Sequence, residues 1–306
     1  MLSCYTLVMS ENLLEPSEIK RKPTPRPEFK EPTHIKRDNM VLHTWGDSTS
    51  GFVTDRVISS TKQLHVLEFE LGPSSGFRHS SINQTIFAAD ILYFVLEGDL
   101  ILANPKTGEV ELVSEGSGLL FHRETWNHGF SMGKKTTRVL EYFSPPPAMG
   151  AASEFSKRQP PLLENKYNYG NTVNNWPESQ PDSKSKASFF EISDRTSILS
   201  FRDSDPTHLI STLVATEFLH VIKGTIELGH VEDFALVERE CVVYVLEGTL
   251  IIDSVDGING QISNSVLSKG DAFFLPKGSK EKMSVKQSDS AVYLRGSGDV
   301  PANWKP

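Results

Sequence analysis

The chain has 306 residues, a net charge of −8 and a pI of about 5.6. This length is sufficient for two domains with separate cores, and the 38% hydrophobic and 23% charged residues are typical of a soluble globular protein. The acidic balance argues against a nucleic-acid partner, and no apolar run approaches the roughly 20 residues that a membrane helix needs.

The amino-terminal residues MLSCYTLVMS lack the basic region and the cleavage site of a signal peptide, and Met9 is an alternative start. The two cysteines, Cys4 and Cys241, are too few for a disulfide framework. We therefore expect a cytoplasmic protein in a reducing compartment.

Residues 1–38 are polar and carry five prolines among mixed charges, at positions 16, 23, 25, 27 and 32. A segment of this composition has no core of its own. We predict an extended arm over residues 1–38 that lies on a neighbouring domain or subunit.

Residues 39–145 contain short runs of β-branched and aromatic residues, separated by turn signals and without a helical period. Such spacing predicts a β-sandwich or β-barrel. The predicted strands are Phe52–Ile58, Leu64–Leu71, Asp90–Leu96, Leu100–Leu102, Val110–Val113, Leu119–Phe121 and Arg138–Tyr142. We expect Glu97-Gly98 to form a turn between two of these strands.

Residues 146–186 are polar and proline-bearing, which predicts a linker that is partly ordered through Tyr167, Tyr169 and Trp176. A second β-rich block follows over residues 187–306.

The two β-rich blocks repeat one another. The sequence YFVLEG at 93–98 returns as YVLEG at 244–248, and Ser114–Phe121 returns as Ser268–Leu275. Farther upstream, Leu64-His65-Val66 matches Leu219-His220-Val221, and His79 falls where His230 falls. Internal repetition of this kind predicts two similar β domains in tandem.

At these residues the chain resembles the cupin superfamily, specifically a two-domain bicupin. The runs Asp90–Gly98 and Glu240–Gly248 are similar to the end of the first cupin motif. Gly270–Gly278 is similar to the second motif, and Gly116–Phe130 is a looser copy that ends at His128. The resemblance implies an all-β fold of two tandem jelly-roll-like barrels.

The resemblance also implies a metal site inside a barrel, made by histidines and a carboxylate. In the amino-terminal half we predict His79, His128 and Asp90 as the ligands, which is the composition of a two-histidine, one-carboxylate site. His122 is a further candidate at the mouth of the barrel. Alternatively, His79 lies in a loop and His128 is a turn residue bonded to backbone.

Two arginines flank these histidines in the sequence. Arg78 precedes His79, and Arg123 lies near His128, so either guanidinium could receive a substrate carboxylate through two parallel hydrogen bonds. Alternatively, both are solvated loop residues.

In the carboxy-terminal half the corresponding positions hold His230, Glu232, Glu240 and Glu281. These could form a carboxylate-rich site, but Lys280 and Lys282 flank Glu281, and cations there would oppose a metal. We expect this half to serve packing and dimer contacts.

These features predict a metal-dependent enzyme that acts on a small organic acid or aromatic substrate, with a dioxygenase as the first reaction type considered and its site in the amino-terminal barrel. The expected cofactor is one divalent ion per chain, Fe(II) or alternatively Mn, Ni or Zn. A lyase, isomerase or hydrolase remains an alternative, as does a non-catalytic ligand-binding or structural bicupin with degenerate sites. We expect a homodimer or a larger homo-oligomer.

Overall fold

The computed structural model describes residues 24–80, 83–147, 151–160, 162, 165–167 and 187–305. Within these ranges it contains 21 strands and one α-helix, so the predicted all-β class is confirmed. The elements are β1 Thr33–Ile35, β2 Val41–Asp47, β3 Gly51–Ser60, β4 His65–Leu71, β5 Gly76–Phe77, β6 Asp90–Glu97, β7 Asp99–Ala103, β8 Val110–Ser114, β9 Gly118–Phe121, β10 His128–Ser131, β11 Thr137–Ser144, α1 Ala151–Arg158, β12 Phe189–Ile192, β13 Ile198–Arg202, β14 Asp205–Ala215, β15 Leu219–Glu227, β16 Ala235–Leu236, β17 Cys241–Val255, β18 Ile262–Ser268, β19 Ala272–Leu275, β20 Lys280–Ser284 and β21 Ser290–Gly298.

Two antiparallel sheets form the amino-terminal barrel. The larger has the order β12-β9-β6-β11-β4-β3-β2, and the smaller has the order β5-β10-β7-β8. Because side chains alternate along each strand, one face of every strand points into the barrel. Those inward faces carry an apolar cluster that includes Phe69, Tyr93 and Phe121.

The chain passes between the two sheets at Glu97-Gly98, where the sequence predicts a turn. Strand β6 pairs with β9 and β11, whereas β7 pairs with β8 and β10, so the two residues carry the chain from one sheet to the other. Gly98 has a φ of +76°, and a Cβ there would lie 3.0 Å from the carbonyl oxygen of Thr136. The equivalent Gly248 has a φ of +73° and lies inside the continuous strand β17.

The carboxy-terminal barrel repeats this plan. Its main sheet has the order β1-β19-β17-β21-β15-β14-β13; β18 and β20 join it through β17, and β16 pairs with β20. The inward faces carry a second apolar cluster, which includes Val243, Phe273 and Tyr293. The two tandem barrels predicted from the repeat are therefore confirmed.

Each barrel includes one strand that lies outside that barrel's own part of the sequence. Strand β1, within the predicted arm, pairs with β19 of the carboxy-terminal barrel, where His34 lies opposite Phe273. Strand β12, which follows the predicted linker, pairs with β9 of the amino-terminal barrel, where Phe190 lies opposite Leu120. Since β9 and β19 are equivalent in the repeat, the exchange is pseudo-symmetric.

The outer faces of the two main sheets pack against one another and form a third apolar cluster, with Leu92 and Tyr142 from one half and Val242 and Leu294 from the other. A Cβ at Gly296 would lie 2.2 Å from the Tyr142 ring, so a glycine is required for this contact.

A buried carboxylate lies within the same interface. Glu68 is fully buried and accepts hydrogen bonds from Arg37 at 2.6 Å, Arg138 at 2.9 Å and the Tyr244 hydroxyl at 2.9 Å. Burial alone would raise the pKa of Glu68, but the two guanidinium groups outweigh it and lower the pKa to about 2. This ion cluster links the arm to both barrels.

The predicted linker is described in part. It contains the helix α1 and includes Tyr167, whereas Tyr169, Trp176 and the first 23 residues, with Cys4, lie outside the described residues. None of the helices in the described ranges has the length and apolar character that crossing a bilayer would need.

Candidate metal centre

Three potential metal ligands converge in the carboxy-terminal barrel. The ligand atoms of His208, His230 and Glu232 all lie within 4.8 Å of one another. In the part of the chain that the structure describes, no other three His, Cys, Asp or Glu side chains meet in this way.

Two elements bring these side chains together. His208 lies on β14, opposite Ile226 of β15, and Ile226 belongs to the apolar cluster inside the barrel. His230 and Glu232 lie in the loop that follows β15, after Gly229, which turns the chain with a φ of +93°.

The two nitrogens of His230 have different partners. Nδ1 lies 2.9 Å from the Thr207 hydroxyl and 3.3 Å from a carboxylate oxygen of Asp205, while Nε2 lies 3.2 Å from Glu232 Oε2. Hydrogen bonds from Thr207 lower the pKa of Asp205, so its carboxylate is ionised at neutral pH. A carboxylate on the outer nitrogen orients a metal-binding histidine and directs its inner nitrogen towards the site.

His208 is held in a similar way. Its Nε2 lies 3.0 Å from the Tyr293 hydroxyl, and its Nδ1 lies 4.0 Å from Glu232 Oε2. Burial lowers the pKa of His208, which favours the neutral ring that a metal requires. The ring of Tyr293 rests on Gly224, where a Cβ would lie 2.2 Å from the ring.

The donor set therefore fits a divalent transition metal. Two imidazoles and a carboxylate suit Fe, Mn, Ni or Zn, and three protein ligands leave positions open for a substrate. The second carboxylate oxygen of Glu232 accepts the backbone N–H of Met283, which fixes the orientation of the group.

The two other acids considered as ligands in this half, Glu240 and Glu281, are bonded elsewhere. Glu240 accepts a hydrogen bond from Thr61 of the amino-terminal half, and Glu281 pairs with Arg295. Lys280 and Lys282 do not crowd the centre, because they alternate with the buried Glu281 along β20 and so point to the opposite face.

In the amino-terminal barrel the structure brings His79 and His128 together. His79 Nδ1 lies 2.6 Å from His128 Nε2, His79 Nε2 lies 3.0 Å from the carbonyl oxygen of Leu162, and His128 Nδ1 is bonded to the Tyr167 hydroxyl. The ring of Trp126 packs on His79 at 5.1 Å.

In this arrangement the nitrogens of both rings are engaged in hydrogen bonds. The Leu162 carbonyl only accepts, so His79 Nε2 carries a proton. Burial, together with His79 and Arg78, lowers the pKa of His128 to about 3, so this ring is neutral. Its one lone pair therefore accepts from His79 or Tyr167, and a metal would have to displace one of these contacts.

The remaining predicted residues of this half do not join the histidine pair as ligands. Asp90 lies 3.1 Å from His122 Nδ1, so it does not complete a three-ligand group with His79 and His128. Arg123 pairs with Glu217 at 2.7 Å and lies over the Phe218 ring of the other half. The guanidinium of Arg78 lies 5.3 Å from the centre of the Phe130 ring, near the histidine pair.

Several solved structures share this architecture. A protein from Pseudomonas aeruginosa described as glyoxylate-induced is 15% identical, with a TM-score of 0.62 over 93% of this chain and 97% of that one. Oxalate decarboxylase from Lactobacillus farciminis is 10% identical, with a TM-score of 0.59 over 92% and 90%. Protein Ylba from E. coli is 11% identical, with a TM-score of 0.58 over 89% and 93%.

The chain has the bicupin fold. No protein-family model matches its sequence, and neither does any curated protein. At 10–15% identity these similarities establish the architecture of this bicupin alone, so its function has to be argued from its own side chains.

Sequence reasoning did not find His208. The residue lies on a strand that precedes the cupin-like motifs, 22 positions before His230, and no spacing rule links the two. His230 and Glu232 stood at a motif position, but the sequence could not show that Glu281 is turned towards Arg295. In this bicupin the third ligand candidate is supplied by the pairing of β14 with β15.

Proposed function

We propose that this bicupin is a metal-dependent enzyme whose metal ion is bound by His208, His230 and Glu232 and whose substrate is a small organic acid. The observation that carries the proposal is the convergence of these three side chains, whose ligand atoms lie within 4.8 Å of one another. The site predicted in the amino-terminal barrel, with His79, His128 and Asp90, stays a prediction. The experiment below compares it directly with the carboxy-terminal site.

A bound divalent ion would polarise an oxygen atom of the acid and stabilise the negative charge that develops there. The protein residues hold the metal ligands in position. Asp205 and Tyr293 hold the outer nitrogens of the two histidines, and Glu232 is fixed by Met283. The apolar cluster of the barrel adjoins His208, since Ile226, which lies opposite it on β15, belongs to that cluster.

Two reaction classes fit three protein ligands with open positions. One is oxidation of the acid by dioxygen, for which Fe(II) is the expected ion. The other is non-oxidative cleavage or isomerisation, for which Mn is suited, and one of the similar structures is an oxalate decarboxylase. Activity measured on a panel of small carboxylates, in air and under nitrogen, separates the two classes.

The test of the metal centre is the metal content of the purified protein. We expect about one transition-metal ion per chain by inductively coupled plasma mass spectrometry in the wild type. His230→Ala should remove it, because the metal loses a ligand and the Asp205 contact behind it. His128→Ala should retain it.

The opposite pattern would contradict the proposal. If His128→Ala removes the ion and His230→Ala does not, the site lies in the amino-terminal barrel, as the sequence predicts. A wild-type protein that takes up no stoichiometric Fe, Mn, Ni or Zn would support a ligand-binding or structural bicupin instead. Circular dichroism of both variants establishes that each barrel remains folded.

A further inference from the structure

A charged pair lies inside the carboxy-terminal barrel beside the metal ligands. Side chains at alternate positions of β21 share a face, so Arg295 points inward with Tyr293, a member of the interior cluster. Its guanidinium donates to one carboxylate oxygen of Glu281 on β20. The buried thiol of Cys241 also lies against it.

This pair retains hydrogen-bonding capacity that the protein does not use. The second oxygen of Glu281 is buried and has no partner among the described residues, although Glu281 is only 4% exposed. Arg295 has five N–H donors, and 25% of its side-chain surface is accessible although protein surrounds it. Donors of the guanidinium therefore remain accessible to a ligand.

The pair and the metal ligands lie side by side. Glu232 accepts the backbone N–H of Met283, which is two residues from Glu281 on β20 and buried on the same face. Tyr293, two residues from Arg295 on β21, is hydrogen-bonded to His208 Nε2 at 3.0 Å. A small molecule held by the metal ligands would therefore lie near the pair.

The guanidinium of Arg295 favours an anion. Glu232, Glu281 and Asp205 contribute at most three negative charges, and Arg295 with a divalent ion would contribute three positive charges, so the overall charge does not decide the ligand. The planar N–H donors of Arg295 match the two oxygens of a carboxylate, and a neutral ligand would offer them only weaker, uncharged acceptors.

We infer that Arg295 binds the carboxylate of the substrate and that the unpaired oxygen of Glu281 accepts an O–H or N–H from the same molecule. The substrate class is thus a short carboxylic acid with a hydroxyl, amino or amide group next to the carboxylate. This inference rests on the proposed function, since it places the acid beside the proposed metal ion.

The test uses the metal-loaded protein and three small probes. Glycolate carries a carboxylate and a hydroxyl, acetate carries the carboxylate alone, and glycolamide carries no charge. We expect isothermal titration calorimetry to rank glycolate above acetate and acetate above glycolamide. Equal binding of glycolate and glycolamide would overturn the inference.

The variant Arg295→Met should keep the metal and weaken glycolate binding by about 10- to 100-fold, because a hydrogen-bonded charge is lost. Arg239→Met is the matched control, since Arg239 pairs with Asp299 at the surface, at 2.9 Å. The control should bind glycolate as the wild type does.

Removal of Arg295 leaves Glu281 without its partner, which could unfold the barrel. The double variant Arg295→Met with Glu281→Leu replaces the whole pair by apolar side chains and should restore the fold, still without strong glycolate binding. Unchanged glycolate affinity in a metal-loaded variant would overturn this inference alone. A wild type that binds no metal would overturn the proposed function instead.

Discussion

The two barrels share one strand arrangement but differ in the residues that surround their equivalent histidines. His79 and His230 occupy corresponding places in the repeat, yet His79 is bonded to His128 and Leu162, whereas His230 lies between Asp205 and Glu232. In both cases the deciding partners include residues outside the repeated motifs. The repeated motifs therefore specify the barrel, while neighbouring segments determine the partners of each histidine.

The largest expected effect concerns the ion cluster that holds the barrels together. Glu68→Ala removes the buried partner of Arg37 and Arg138, and we expect a loss of about 3–5 kcal/mol in the free energy of unfolding. Urea denaturation, followed by tryptophan fluorescence, measures it. Glu70→Ala is the control, because Glu70 pairs with Arg37 and Arg56 but is 26% exposed. It should cost about 1 kcal/mol or less.

The same cluster predicts a dependence on pH. The pKa of Glu68 falls from 4.5 in the unfolded chain to about 2 in the folded protein. A lowered pKa stabilises the fold above pH 4.5, and this contribution, about 3 kcal/mol, is lost as the pH falls towards 2. If Glu68→Ala costs no more than Glu70→Ala at pH 7, the cluster does not hold the barrels together.

A smaller effect is expected at Gly224, which contacts the Tyr293 ring beside the metal centre and takes no part in the ion cluster. A Cβ there would displace the Tyr293 ring and with it the hydrogen bond to His208. Gly224→Ala should cost about 1–3 kcal/mol and weaken metal binding at least tenfold, as measured by chelator competition. Gly72→Ala in the other barrel meets only Ser75 Oγ, at 3.7 Å, and should change neither quantity. Equal metal affinity in both variants would exclude Tyr293 as the support of His208.

The smallest expected effect concerns the amino-terminal histidine pair. Tyr167→Phe removes the hydroxyl bonded to His128, and we expect a loss of about 0.5–1.5 kcal/mol in unfolding free energy with unchanged metal content. Thermal unfolding and elemental analysis of the same sample test both parts. A gain of a second metal ion would show that Tyr167 keeps the pair from binding one.

Much of the fold was predictable, because alternating strands and a repeated motif are local signals. Gly98 and Gly248 mark the same bend in both halves, and their positive φ angles explain the glycines. The passage from one sheet to the other at Glu97-Gly98 was not predictable, since a bend and a hairpin turn share the same residue types.

The candidate site was less accessible to sequence reasoning. His208 approaches His230 only because β14 pairs with β15, and strand pairing is a long-range property. Asp90 stood near the motif carboxylate, but its partner proved to be His122. Lys280 and Lys282 flank Glu281 in the sequence but point to the opposite face of β20, which a local reading of charge does not show.

Because β1 pairs with β19 and β12 pairs with β9, each half of the chain supplies the strand that covers one sheet edge of the other half's barrel. A gene fragment that encodes one half would leave β9 or β19 with an unpaired row of backbone N–H and C=O groups, a template for aggregation. We therefore expect each half to need the other to cover its sheet edge, whichever barrel holds the metal ion.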